Sequence, residues 1–72
     1  MDDYLINLCR EYVELVGMHH DSSRPPEELY QIEQQRQVTH GQLCQYTGKD
    51  ETEDMYAYAR AILHAARGSN IQ

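Results

Sequence analysis

The sequence predicts an all-α chain, a small three-helix bundle that self-associates. Three observations predict it. Apolar residues recur at three- and four-residue spacing in three separate stretches. No run alternates apolar and polar residues, and no hairpin dipeptide joins two apolar segments. The intervals between the stretches are short and rich in residues that punctuate helices. The expected helices span about 2–16, 26–46 and 51–67, in one domain over 1–68 with a frayed tail at 69–72.

The first helix is read from Leu5, Leu8, Cys9, Tyr12, Leu15 and Val16. Asp2 and Asp3 suit the positive end of its dipole, and Gly17 is the expected stop. Ile6 and Val13 lie beside the main stripe, which widens the apolar arc to about half the circumference. A helix that wide packs against two things, and in so short a chain a second subunit is a candidate. Ile6 and Val13 are therefore the expected self-association residues of a homodimer.

The stretch "GMHHDSSRPPEELY" (17–30) reads first as a joint. Arg24 and Pro25 each precede a proline and are pushed towards extended backbone. Pro26 fits the first turn of the second helix, with Glu27 and Glu28 behind it. Leu29, Ile32, Leu43 and Tyr46 make only a thin stripe on that helix, and Glu33, Arg36 and His40 fall on or beside it. Gly41 interrupts the interior at a cost of about 1 kcal/mol against alanine. Glutamines fill much of the remainder.

Gly48 is the expected C-cap of the second helix. Asp50 with Glu53, or Thr52, is expected to cap the third, which closes at Gly68. Its stripe is Met55, Tyr58, Ala59, Ile62, Ala65 and Ala66. Ala57, Ala61 and Ala65 form a seam of small residues. Tyr56, Arg60, Leu63 and Arg67 form a separate face.

A chain of 72 residues supplies a marginal core of its own. Phe and Trp are absent, and six tyrosines carry all the aromatic surface. Tyrosine favours interfaces, where its ring is buried and its hydroxyl stays satisfied. The net charge of −6 speaks against a nucleic-acid backbone or an anionic membrane as partner. Five of the six basic residues are arginine, whose planar fork pairs specifically. Acids follow Met1 without an apolar signal segment, and no apolar run approaches membrane length. A cytoplasmic chain with Cys9 and Cys44 reduced is expected.

Several constellations are candidates for chemistry. His40 and Cys44 lie one turn apart and, with His19 and His20, offer zinc-like ligands. A secure site would show two close ligand pairs, so Cys44 as a small buried hydrophobe is the simpler reading and no metal is expected. Cys9 or Cys44 with a histidine could make a nucleophile and base, but no catalytic motif accompanies either. The acids of "KDETED" lack the spacing of a calcium loop and suit a helix start or a basic partner. Glu33, Arg36 and His40 are either buried in mutual hydrogen bonds or exposed as an interface strip.

The function expected is that of a non-enzymatic acidic protein-binding module: a regulator, adaptor or inhibitor, of a type common in phage and mobile elements. Its expected partner-binding residues are Tyr56, Arg60, Leu63, Arg67, Arg36 and His40, with no cofactor. An acidic mimic of nucleic acid is the first alternative, although the acids gather at helix starts rather than along one face. A small zinc-dependent module using His40 and Cys44 is the second.

Overall fold

The computed structural model describes residues 2–49 and 54–70. It contains α1 (Asp3–His19), α2 (Pro26–Thr47) and α3 (Met55–Asn70), with no strand among the described residues. This is the small three-helix bundle the apolar periodicity predicts.

Local chemistry sets most of the helix ends. The Asp2 carboxylate accepts from the Tyr4 backbone N–H at 2.9 Å and caps α1. Pro25 is extended, and Pro26 opens α2 with Glu27 and Glu28 in its first turn. At its far end Gly48 takes φ 75°, and its N–H donates to the Cys44 carbonyl at 2.8 Å. That left-handed turn suits glycine, which has no Cβ to clash. The Asp54 carboxylate accepts from the Ala57 N–H at 3.1 Å and starts α3. The expected caps Asp50, Thr52 and Glu53, with the first helical turn expected from Glu51, lie outside the described residues.

Two expected stops are not stops. α1 runs through Gly17 to His19, and α3 runs through Gly68 to Asn70. A glycine ends a helix only when it turns left-handed, and among the described residues only Gly48 has positive φ. The extra turn of α1 brings the His19 imidazole 3.3 Å from the Glu33 carboxylate on α2. The chain then turns at Asp21, whose side chain accepts from the Ser23 N–H and hydroxyl.

α1 lies between the other two helices. It packs along both α2 and α3, whose mutual contacts among the described residues are few. Its wide apolar arc thus faces two helices of its own chain. Leu8, Cys9 and Tyr12 of α1, Leu43 and Cys44 of α2, and Met55 and Ala59 of α3 form the core cluster. Leu15 and Ile32 are also buried. The arrangement is open. Its radius of gyration is 13.0 Å, against about 11 Å for a compact chain of this length. Among the described residues no helix is long and apolar enough to cross a membrane.

The rotation of α2 departs from its expected stripe. Ile32, Thr39, Leu43 and Cys44 are the buried positions, and Tyr46 faces solvent. The stripe is thin, so packing against α1 rather than periodicity sets the rotation, with Cys44 inside and Tyr46 outside. On α3 the buried arc is wider than its expected stripe: Tyr56 and Leu63 pack against the core, while Ala65 is exposed.

Candidate functional site

Glu33, Arg36 and His40 sit half-buried in the crease between α1 and α2, with Glu33 and Arg36 bonded to each other. The Arg36 Nε donates to Glu33 Oε2 at 2.8 Å, and its Nη2 approaches Glu33 Oε1 at 2.5 Å. Gln37 donates to the same carboxylate at 3.1 Å. The Arg36 hydrogen bond, with smaller help from Gln37, the Arg36 charge and His19, holds the Glu33 carboxyl down to about 2 despite partial burial. The same pairing pushes the Arg36 guanidinium up, with the Tyr12 hydroxyl contributing less. His40 lies with its ring 5.8 Å from the Tyr12 ring and its Nδ1 3.7 Å from Cys44 Sγ. An open hollow lined by Arg36, Gln37, His40 and Gly41 lies on the solvent side. The crease therefore ties α2 to α1, and Arg36 is largely engaged within the chain.

The zinc-like residues divide into separate groups. His40 pairs with Cys44, His19 pairs with Glu33, and the His19 and His20 rings are 5.9 Å apart. Among the described residues no group of three or more His, Cys, Asp or Glu side chains could hold a metal ion. Cys9 and Cys44 are not joined in a disulfide, and both are buried. Burial pushes the Cys9 thiol up, away from the nucleophilic thiolate.

The expected α3 face is partly committed to the core. Tyr56 and Leu63 pack against it, and the Arg60 guanidinium sits 5.7 Å over the Tyr56 ring. Arg60 and Arg67 are exposed. Of the expected self-association pair, Val13 packs against the core and Ile6 is half-buried beside it. Ala57, Ala61 and Ala65 face solvent.

Among the described residues, the exposed large apolar side chains lie on the outer face of α2 and on Tyr4 beside it. Tyr30, Gln34, Val38, Gln42 and Tyr46 recur every four residues, and all are exposed. Tyr30 is 66% exposed, Val38 62% and Tyr46 45%. Tyr4 of α1, 52% exposed, extends the row by packing its ring at a 43° tilt against Tyr46, with centroids 5.0 Å apart. Gln34 donates to the Tyr30 hydroxyl at 2.8 Å and steadies that end. Every exposed residue of α2 from Tyr30 to Tyr46 is uncharged, in a chain of net charge −6. A shallow groove of about 390 Å³ runs beside Val38, between Gln34, Gln35, Thr39 and Gln42 of α2 and Glu11 of α1.

None of these five α2 residues is among the expected interface positions, and the expected stripe put Tyr46 inside. The signal that finds them is local. It is an i, i+4 row with tyrosine at both ends and no charge between.

The chain matches no protein-family model, no curated protein and no solved structure.

Proposed function

We propose that this protein is a non-enzymatic protein-binding module, acting as a regulator, adaptor or inhibitor through the outer face of α2. The observation that carries the reading is the uncharged row of Tyr30, Gln34, Val38, Gln42 and Tyr46, extended by Tyr4. Exposed tyrosine and valine on a regular helix face supply apolar area at low entropic cost, and the glutamines supply adaptable hydrogen bonds. Arg60 and Arg67 of α3 supply a second, cationic surface for the rim of a partner. The described hollows are open to solvent, which suits docking better than water-excluding chemistry. Cys9 and Cys44, not joined in a disulfide, suit a reducing, cytoplasmic setting. The charge-mimic alternative draws less support, because Glu28 and Glu33 are already paired with Arg24 and Arg36.

The test is affinity capture from a lysate of the source cells, comparing the native chain with Val38→Arg. Val38 is exposed, so the substitution leaves the fold intact. A protein retained by the native chain and lost with the variant supports the reading. Binding that survives the variant but falls steeply with salt supports an acidic-surface mechanism instead.

A further inference from the structure

We infer that α2 docks antiparallel against α2 of a second copy of this chain, with Val38 on the two-fold axis. The inference rests on the reading of the α2 outer face as a binding surface, and it names the occupant.

The exposed residues of α2 are nearly palindromic about Val38. Tyr30 mirrors Tyr46, Gln31 mirrors Gln45, and Gln34 mirrors Gln42. A two-fold interface needs such a surface, because residue i must suit residue j in both directions. In the antiparallel pairing Val38 meets Val38. Each Gln34 faces Gln42 of the other copy, and glutamine amides pair with each other as both donors and acceptors. Each Tyr30 approaches Tyr46 of the other copy, against which Tyr4 already packs.

Gly41 fits the same scheme. Its backbone is helical, and a Cβ built on it meets nothing within 4 Å, so packing inside the chain does not require glycine there. The position that mirrors Gly41 about Val38 is Gln35. In the pair, the long Gln35 side chain of one copy lies over the open glycine of the other.

Charge selects the face. Two chains of net charge −6 repel wherever acids meet, and the α2 face from Tyr30 to Tyr46 exposes none of its own. Glu11 is the one charged residue lining the groove, at its α1 edge, where it can accept from the amides of the second copy. The row is about 24 Å long at the helical rise. A contact of one helix falls below the roughly 800 Å² per partner of a standard interface, so the dimer is weak and concentration-dependent.

Sedimentation equilibrium of the full chain over a concentration series tests the pairing, with far-UV circular dichroism as the control for fold. The native chain is expected to shift between one and two copies. Val38→Arg is expected to weaken association by about tenfold or more, as for a central interface side chain. Gln34→Lys with Gln42→Lys is expected to do the same. Gln34→Lys with Gln42→Glu is expected to keep the dimer, because each new lysine then faces a new glutamate across the axis. A native monomer at every concentration overturns the inference, as does a dimer indifferent to Val38→Arg. A lysine–glutamate variant as monomeric as the double lysine overturns the antiparallel register. A strict monomer that still loses a captured protein on Val38→Arg overturns the second copy as occupant and leaves the binding-module reading standing.

Discussion

Replacing Gly17 with alanine separates two accounts of the first helix. If Gly17 were a left-handed stop, a Cβ there would clash with the next carbonyl and cost roughly 1–2 kcal/mol. The structure predicts the opposite sign. Gly17 lies inside α1 with helical backbone, and a Cβ built on it meets nothing within 4 Å. The change then removes only the entropic penalty of glycine, a gain of about 0.4–1 kcal/mol. For a domain of this size 1 kcal/mol corresponds to roughly 4–8 °C in Tm, so a rise of about 2–8 °C is expected. Gly48→Ala is the matched control. That site also has no neighbour within 4 Å, but its φ is 75°, so a loss of about 1 kcal/mol is expected from backbone strain alone. Thermal unfolding by far-UV circular dichroism at low protein concentration reads both. A fall in Tm for Gly17→Ala, similar to that for Gly48→Ala, refutes the continuous helix and with it the reach of His19 to Glu33.

Glu33 makes stability depend on acid. Its folded carboxyl lies at about 2 against an ordinary 4.5, so its contribution is complete above pH 4.5 and lost as pH falls towards 2. The side chain is 27% exposed, which limits the effect to about 1 kcal/mol. Glu33→Gln should flatten the acid limb of a denaturation-versus-pH curve, and an unchanged limb removes the carboxylate from that role. Leu43 is fully buried, so Leu43→Ala should cost about 2–5 kcal/mol. Because a domain this small commands little more than that, urea unfolding at room temperature should show a largely unfolded variant; a loss below 1 kcal/mol would mean the core is placed elsewhere. Gly41→Ala should raise Tm at low concentration and lose that advantage at high concentration, where the new methyl meets the second copy; an equal rise at all concentrations argues against contact at Gly41.

Much of the fold was legible because helix ends are settled locally. Asp2, Pro26 and Gly48 each satisfy or terminate backbone groups within a few residues, so no distant contact is needed to read them. Gly17 and Gly68 were not legible in the same way. Helical and left-handed backbone are both open to glycine, so its neighbours in sequence leave the choice open, and in the structure Gly17 is helical.

The candidate site shows the same division. By itself the sequence determined three helices, their order and most of their ends, and it carried the neutral palindrome of α2 in plain view. Only the tertiary structure decided which way α2 is rotated. Its apolar stripe is thin and interrupted by Arg36 and His40, so hydrophobic periodicity leaves that angle nearly free. Packing against α1 settles it by burying Ile32, Thr39, Leu43 and Cys44 and closing Arg36 on Glu33. With that rotation set, Tyr46 turns outward beside Tyr4. The same packing gives α1 two neighbours in its own chain, which engages Val13 and leaves the row through Val38 exposed. Local capping is written residue by residue; the direction a weakly amphipathic helix faces exists only once its neighbours are in place.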